Sequence, residues 1–344
     1  MRMRDGSVAF GLAAMALALA GPAAAQQQRY DRLFVFGDSL VDSGNAQKLR
    51  ADGGGADPAP ASQSYFEGRF SNGYNFADYL STYIAGGPAT ASERGGINFS
   101  VGGAQAAEVA GDASPSFLEQ IDTFAKSGAT FDSRALVLVT LGGNDVRREL
   151  ANLGTIPGYT PDLTSTVQAM STGLTRLYAA GARNFVITGL PDIGQIPAVT
   201  SLNVPALNQA GTALSAGLNT AFAQLVGGFD RQPGVDAVFF DLFNYQKAIY
   251  QSPAAAGLVT PGGTLNTSTP CLSVPGAAPN CDNFVYFDAI HPVTDVHRAI
   301  ANGIATQIGV AVPEPASWAL MLTGFALTAM MLRRHRTRVR VAFA

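Results

Sequence analysis

An aspartate and a histidine lie three positions apart in the segment YFDAIHP, residues 286–292. A single turn of the backbone over this spacing lets the Asp288 carboxylate accept the Nδ1–H of His291. The Nε2 atom of the ring is then free to take a proton from a serine hydroxyl, which is the chemistry of nucleophilic acyl transfer. A purely structural role for His291 is the alternative when this segment is considered alone.

The number of histidines narrows the choice of a base. The chain has 3 histidines, and His335 lies among arginines near the C-terminal end. His297 belongs to a predicted helix whose inward stripe is residues 296, 300 and 304, so we expect a solvated surface position for it. If a histidine base exists, it is therefore His291.

The candidate nucleophile is Ser39, in the segment FGDSLVDSGN, residues 36–45. Gly37 allows a tight turn after a strand, and the next helix is predicted to begin near Ser39. A hydroxyl at that position lies beside backbone N–H groups that favour negative charge. The alternative for Ser39 alone is an ordinary helix cap, which serine and aspartate commonly provide.

Two further segments contain candidate donors to a developing oxyanion. A glycine pair ends the segment NFSVGG, residues 98–103, and lets the backbone approach a ligand closely. Asn144 follows a predicted buried strand directly, in LGGND, residues 141–145, and its amide can donate to an oxyanion. Taken alone, a glycine pair is more often a turn, and Asn144 can be a helix cap.

These segments each follow a predicted strand or precede a predicted helix, because short apolar strands alternate with helical stretches along the chain. Such alternation predicts an α/β fold with a parallel sheet between helix layers, and ligands bind at the carboxyl ends of its strands. The clearest helices are expected at about 163–180, 204–226 and 295–308, with Thr294 as N-cap of the last. The predicted strands are residues 32–36, 97–101, 135–141, 184–189 and 235–241.

Together the segments resemble the SGNH hydrolase family, and within it the GDSL esterase/lipase branch. The block GDSL at 37–40, continuing to DSGN at 42–45, is highly specific, and the other segments follow in family order and spacing. Further matches are GRFSNG at 68–73, LPDIG at 190–194, and the pair HP at 291–292 followed by a threonine. The resemblance covers about residues 32–308. It implies a three-layer α/β/α sandwich with a five-stranded parallel sheet, the flavodoxin-like fold of SGNH hydrolases.

The resemblance also implies a role for each candidate residue. Ser39 is expected to be the nucleophile, His291 the general base, and Asp288 the residue that orients the base. The oxyanion hole is expected to consist of the Ser39 backbone N–H, the Gly103 backbone N–H and the Asn144 side chain. The implied activity is hydrolysis of acyl esters by an esterase or lipase, and we expect no metal and no other cofactor.

Both ends of the chain carry features of export. Residues 1–25 combine a basic start, a short apolar run and small residues, which predicts a signal peptide cleaved after Ala25. At the other end, VPEP at 312–315, an apolar stretch at 316–332 and an arginine-rich tail resemble the PEP-CTERM sorting signal of Gram-negative bacteria. That resemblance implies transient anchoring in the inner membrane and cleavage by a sorting peptidase; a plain C-terminal anchor is the alternative. The predicted segments are therefore 1–25, a hydrolase domain at 26–311, and 312–344.

Charge and cysteines agree with a protein that works outside the cytoplasm. The whole chain carries a net charge of −3; residues 1–25 hold two arginines and one aspartate, and five arginines follow Pro315, so residues 26–315 carry −9. Such an acidic body excludes an electrostatic surface for nucleic acid. Cys271 and Cys281 lie ten positions apart, which predicts a disulfide in an oxidising compartment. No second cysteine pair accompanies them to complete a zinc site.

The sequence leaves the substrate and two alternative functions open. The acyl donor can be a small ester, a lipid or an acetylated polysaccharide, and we expect a monomer. A catalytically idle surface or extracellular-matrix protein on the same scaffold is the main alternative. A serine peptidase shares the chemistry, but nothing in the sequence suggests a peptide groove. Loops at 50–63 and 251–282 are long enough to overhang the site.

Overall fold

The central sheet of the described chain has four parallel strands, which lie side by side in sequence order. The computed structural model describes residues 29–258, 263–312 and 323–330. Every residue of the second strand is buried, and successive side chains of a strand point to opposite faces. Both faces of the sheet are therefore covered, which explains the nearly continuous apolar sequence of this strand. The strands are β1 (Arg32–Gly37), β2 (Ala135–Thr140), β3 (Asn184–Thr188) and β4 (Asp236–Phe240).

Helices connect the strands and pack against the sheet. Two of them begin with capping boxes, in which the side chain of Asn75 accepts the Asp78 N–H and that of Ser116 accepts the Glu119 N–H. The α-helices of residues 29–312 are α1 (Asn45–Asp52), α2 (Phe76–Ala85), α3 (Phe117–Ser127), α4 (Gly143–Thr155), α5 (Thr164–Ala179), α6 (Pro197–Thr200), α7 (Pro205–Phe229), α8 (Leu242–Gln251) and α9 (Thr294–Gln307).

Phenylalanines join the sheet to one of its helix layers. Phe34 and Phe36 of β1 both pack edge-on against Phe124 of α3, with ring centroids 6.0 Å apart in each pair. Phe185 of β3 is on the same face as Phe34 by strand register. Its ring packs against Phe229 at the end of α7, with centroids 5.1 Å apart. Such pairs contribute about 0.5–1.5 kcal/mol each beyond burial, so they fix the strands from which the site loops start.

The segment 97–101, which the sequence predicts as a fifth strand, lies beside β1 but forms only one isolated parallel bridge with it, between Val35 and Asn98. Val35 both donates to and accepts from this segment through its backbone. The Gly37 N–H, which would continue the ladder, donates instead to Oε1 of Gln120 on α3 at 2.9 Å. The prediction of five strands is therefore wrong, because a buried glutamine side chain interrupts the pairing and leaves a four-stranded sheet.

Two predictions about helix starts are also wrong. The chain does not enter a helix near Ser39; residues 38–41 close a hydrogen-bonded turn, and α1 begins only at Asn45. Thr294 is the first residue of α9 rather than its N-cap, which is Val293. The Thr294 hydroxyl donates to the Tyr74 carbonyl at 2.8 Å. It therefore ties α9 to a distant loop instead of capping the helix.

His297 is buried, contrary to the prediction of a solvated position. It is 1% exposed, and its ring packs against Phe76 of α2 with centroids 5.8 Å apart. Burial, together with the charge of His291, lowers the pKa of His297 to about 3. The error arises because α9 contacts both α2 and α8, so its buried face is wider than one stripe. The buried residues of α9 are Val296, His297, Ala299, Ile300, Ala301, Ile304 and Ala305.

The predicted export signals fall mainly outside the described residues. The signal peptide at 1–25 lies there entirely, as do residues 313–322 and 331–344 of the sorting signal. Residues 323–330 are helical and exposed. In the part of the chain that the structure describes, no helix combines the length and apolar character needed to cross a membrane. The predicted transient anchor therefore has no support from the described residues.

Candidate active site

Side chains from opposite ends of the described chain form a hydrogen-bonded row. Ser39 follows β1, and its Oγ lies 2.8 Å from Nε2 of His291. On the other side of the ring, Nδ1 of His291 lies 2.9 Å and 2.7 Å from the two carboxylate oxygens of Asp288. His291 is 7% exposed, so the ring is largely screened from water. A proton can pass from the hydroxyl to Nε2 while Asp288 holds the opposite ring nitrogen.

The Asp288 carboxylate has donors besides the imidazole. Its Oδ1 accepts the backbone N–H groups of Ile290 and His291, both at 2.8 Å. Its Oδ2 accepts the Tyr65 hydroxyl at 2.8 Å. Burial alone would raise the pKa of Asp288, but the charge and hydrogen bonds of His291 outweigh burial and lower the pKa to about 2. The carboxylate is therefore ionised at neutral pH and holds the ring in a fixed orientation.

The segment GRFSNG, residues 68–73, supports the imidazole from the side. The ring of Phe70 lies 5.1 Å from that of His291, centroid to centroid. Arg69 forms a buried ion pair with Asp78 of α2, with Nε 2.8 Å from Oδ2. The Ser71 hydroxyl donates to the backbone carbonyl directly after His291 at 2.8 Å. The segment therefore positions the histidine rather than contributing a reactive group.

A buried carboxylate holds the loop that follows β1. Oδ1 of Asp42 accepts the N–H groups of Gly44 and Asn45, both at 2.7 Å. Oδ2 accepts Ala46 at 3.0 Å and Gly102 at 2.7 Å. Burial raises the pKa of Asp42 to about 6, although these four N–H groups act in the opposite direction. The bond to Gly102 matters most for the site, since it joins the serine loop to the glycine pair.

The candidate oxyanion donors lie on connected segments. The Asn144 amide donates to the Ala104 carbonyl at 2.9 Å, which joins the start of α4 to the glycine pair, and Asn144 lines the same small cavity as Ser39. Gly103 has a φ of 91°, and a Cβ at this position would lie 2.5 Å from Oγ of Ser114. Within the described residues, the backbone N–H groups of Ser39 and Gly103 have no protein acceptor. Both can therefore donate to a ligand.

The residue before the serine is a second buried carboxyl with the opposite electrostatic behaviour to Asp288. Asp38 is 3% exposed, and its Oδ1 accepts the Leu40 N–H at 3.0 Å. Burial raises the pKa of Asp38 to about 7, although the Leu40 N–H and the charges of His291 and Arg147 lower it. The pKa values of Asp38 and Asp288 are therefore shifted in opposite directions within one site.

Apolar side chains surround the serine. The cavity that Ser39 borders has a volume of about 30 Å³, and a second cavity of about 40 Å³ lies next to it. Leu40, Ile196 and Ile290 line both cavities. The lining is therefore mostly apolar with a few converging polar groups, which is the composition typical of binding sites for small organic molecules.

The structure joins Cys271 and Cys281 in a disulfide, with Cα atoms 5.5 Å apart. The Cys271 N–H donates to the Tyr286 carbonyl at 2.9 Å, and the next N–H along the chain donates to the Phe287 carbonyl at 2.9 Å. The disulfide loop is therefore bonded to the backbone immediately before Asp288.

Sequence reasoning missed two residues that hold the site together. Tyr65 lies outside every matched segment and is 223 positions from Asp288, so no local pattern indicates their contact. Asp42 was within a matched block but received no role. Its position two residues before Gly44 is typical of an Asx turn, in which the carboxylate accepts nearby N–H groups. That signal was available in the sequence.

Comparisons with known proteins identify a family. The family model described as GDSL-like Lipase/Acylhydrolase matches residues 33–304. The chain is 28% identical over 319 residues to the GDSL esterase/lipase At1g71691 of Arabidopsis thaliana, covering 78% of this chain and 80% of that protein. It is 29% identical over 330 residues to the GDSL esterase/lipase LTL1 of the same plant, covering 82% and 88%.

Among solved structures, a catalytic mutant of Axe2, an acetylxylan esterase from Geobacillus stearothermophilus, superposes with a TM-score of 0.47 and 12% identity. The superposition covers 83% of this chain and 97% of that one. The family model, which spans the sheet and both site loops, decides the assignment. The chain belongs to the GDSL-like lipase/acylhydrolase family of ester-hydrolysing serine hydrolases.

Proposed function

We propose that the chain is an exported serine esterase that hydrolyses carboxylic acyl esters through an acyl-enzyme on Ser39. The observation that carries the proposal is the 2.8 Å separation of Ser39 Oγ from His291 Nε2. A serine hydroxyl is a weak nucleophile until a neighbouring base removes its proton. His291 is placed to do so, and Asp288 supports the imidazolium that forms.

The reaction proceeds in two half-reactions. His291 Nε2 accepts the Ser39 proton as Oγ attacks the ester carbonyl carbon, and the tetrahedral adduct then expels the alcohol, which takes the proton from Nε2. Water attacks the acyl-enzyme with Nε2 again as base, which releases the carboxylic acid and restores the serine. Asp288 stays ionised throughout, since its pKa is about 2.

The oxyanion of each tetrahedral adduct is stabilised by three donors: the N–H groups of Ser39 and Gly103 and the side-chain amide of Asn144. Loss of one such donor typically lowers turnover by about 10²–10³-fold. Asn144→Ala should show this loss with little change in thermal stability. Asn152→Ala, on the same helix but bonded to a tyrosine hydroxyl, is the matched control. An Asn144→Ala enzyme with more than about a third of normal turnover would remove this residue from the hole.

Export is the second part of the proposal. Residues 1–25 act as a signal peptide, and residues 312–344 act as a sorting signal that is cleaved near Pro315 after translocation. The disulfide supports a working place outside the cytoplasm, because such bonds persist in oxidising compartments. Intact mass measurement of the protein recovered from the periplasm or medium tests both cleavages. A mature mass that retains residues 1–25 or 316–344 would contradict the corresponding cleavage.

The competing function is an idle surface or matrix protein on the same scaffold. Hydrolysis of p-nitrophenyl acetate by the wild-type chain, compared with Ser39→Ala, separates the two. We expect Ser39→Ala to lower turnover by about 10⁴–10⁶-fold. No hydrolysis by the wild type of any ester in a panel of acyl groups would favour the idle protein.

A further inference from the structure

A larger apolar groove lies next to the candidate active site. Its volume is about 320 Å³, roughly ten times that of the cavity at Ser39. One wall is the C-terminal half of α4 and the other is α6 with the turn that leads into α7. The lining residues are Arg147, Leu150, Ala151, Gly154, Thr155, Ala198, Val199, Leu202 and Leu207.

The groove adjoins the site. Arg147 lines both the groove and the cavity that contains Ser39 and Asn144. The α6 wall is also joined to the loop that carries the histidine, because the Ala198 N–H donates to the Ala289 carbonyl at 2.8 Å. Arg147 and the histidine loop therefore join the groove to the candidate site.

The rim of the groove carries an unusual amount of exposed apolar surface. Leu202, Ile156 and Val204 are 56%, 48% and 42% exposed, and they are the three most exposed large apolar side chains among described residues before position 313. Leu202 lines the groove, Ile156 directly follows the lining residue Thr155, and Val204 lies two residues after Leu202. Exposed apolar side chains are common singly, but a cluster of them marks a binding surface.

The lining also limits what the groove can bind. Among the described residues that line the groove, Arg147 is the one with a charge, and the other lining side chains are apolar or small apart from the Thr155 hydroxyl. A sugar polymer needs many hydrogen-bond partners, which these walls do not supply. A hydrocarbon chain needs none and gains free energy from burial.

We propose that this groove binds the aliphatic chain of an ester substrate whose carbonyl lies at Ser39, so that the enzyme acts on lipid-like esters. The inference rests on the proposed function and adds the substrate class. Each methylene group that enters the groove should raise kcat/KM by about two- to fourfold, the upper value corresponding to full burial. The gain should end at the chain length that fills the groove.

The test measures hydrolysis of esters of increasing chain length by the wild type and by variants that either fill the groove or make its rim polar. Ala151 is exposed on α4, so Ala151→Trp fills the groove from a surface position. Leu202→Gln removes apolar rim surface and serves as a second, independent variant if the first fails to fold. Ala179→Trp, an exposed alanine at the end of α5, is the matched control.

Substrates are p-nitrophenyl esters with acyl chains of two to ten carbons, below their micellar concentrations, and acetate esters of alcohols of the same lengths. We expect kcat/KM of wild type and Ala179→Trp to rise with chain length in one of the two series, which shows whether the acyl or the alcohol chain occupies the groove. For the eight-carbon ester of that series, kcat/KM of Ala151→Trp should be at least tenfold below that of wild type. Leu202→Gln should show a smaller reduction. Hydrolysis of p-nitrophenyl acetate by Ala179→Trp should equal that of wild type, and the length profile of each protein is normalised to its own acetate value.

Several outcomes would overturn the proposal. A length dependence that is the same in wild type and both groove variants would mean that the chain lies elsewhere. A flat wild-type profile with normal acetate hydrolysis would refute the substrate class while leaving the esterase intact. Absence of any hydrolysis would instead refute the proposed function. A change of oligomeric state in Ala151→Trp, by sedimentation, with an unchanged length profile would make the groove an interface between copies.

Discussion

Two loops meet at the candidate active site, and they are held by different means. The serine loop, residues 38–46, is centred on one of its own carboxylates: Asp42 accepts N–H groups two, three and four residues further on. In the histidine loop, residues 286–293, the Asp288 carboxylate also accepts two nearby N–H groups, but this loop has distant partners at the catalytic side chains themselves. Tyr65 bonds Asp288 from 223 positions away, Phe70 packs on the ring of His291, and the disulfide loop bonds the backbone before Asp288.

The sequence separation of these contacts explains which of them can be predicted from the sequence. A carboxylate that satisfies nearby N–H groups needs residues at fixed short spacings, so it leaves a recognisable local pattern. Contacts between segments hundreds of positions apart leave no such pattern. The serine loop should therefore respond to changes in Asp42, whereas the histidine loop should respond to changes far away in the chain.

The largest expected effect is loss of the carboxylate at the centre of the serine loop. Asp42→Ala leaves four buried N–H groups without their acceptor. Each of these groups that is not hydrogen-bonded by water instead costs about 1–3 kcal/mol of stability. We expect the free energy of unfolding to fall by about 3–5 kcal/mol in urea titrations. Asp57→Ala, an exposed aspartate that accepts the Ala59 N–H, should cost less than about 0.5 kcal/mol. Equal effects of the two substitutions would contradict the role given to Asp42.

The two loops should also respond to pH in opposite directions. Asp38 has a raised pKa of about 7, so its favourable contribution is complete below about pH 4 and is lost as the pH rises through 7. Asp288 has a lowered pKa of about 2, so its contribution is present above about pH 4 and is lost between 4 and 2.

Asp38→Asn tests the first half of this contrast. Wild type should lose stability between pH 4.5 and 8 relative to the variant, by on the order of 3 kcal/mol. Urea titrations of both proteins at four pH values measure the difference. Burial also raises the pKa values of Asp42 and Asp145. Part of the fall in the free energy of unfolding with rising pH is therefore due to these two residues and should persist in the variant. Parallel stability curves for the two proteins would show that Asp38 ionises normally.

Removal of the disulfide should loosen the histidine loop. Because the bond closes a short loop, Cys271→Ser with Cys281→Ser should lower the free energy of unfolding by about 2–3 kcal/mol. Turnover of p-nitrophenyl acetate should fall at temperatures well below the melting point, since the loop bonds the backbone next to Asp288. Unchanged stability and turnover in the double variant would refute a supporting role for the disulfide.

The smallest effect is expected for the tyrosine that bonds Asp288. Tyr65→Phe removes one of the donors to the carboxylate, so kcat should fall about three- to tenfold with KM unchanged. With one hydrogen bond fewer, the Asp288 carboxylate stabilises the imidazolium of His291 more strongly. The acidic limb of the kcat/KM profile should therefore move to higher pH. Tyr79→Phe removes a hydroxyl that bonds Thr294 instead and should leave the profile in place. A stability loss in Tyr65→Phe without a change in the pH profile would indicate a structural role only.

The parts of the molecule that the sequence predicts well are those with local causes. The apolar runs of β1 to β4 and the α/β alternation follow from side-chain character alone, and the blocks around Ser39 and His291 have fixed short spacings. The errors have distant causes. Gln120 takes the Gly37 N–H and interrupts the fifth strand. The position of α9 against both α2 and α8 buries His297, which a single helical stripe does not reveal.

The most direct measurement is covalent labelling with a fluorophosphonate, which reacts with an activated serine, followed by peptide mass spectrometry. One adduct per chain is expected, on Ser39, with labelling slowed by several orders of magnitude in His291→Ala because the base is gone. Asn152→Ala should be labelled at the wild-type rate. An adduct on another serine, or equally fast labelling of wild type and His291→Ala, would contradict the claim that His291 activates Ser39.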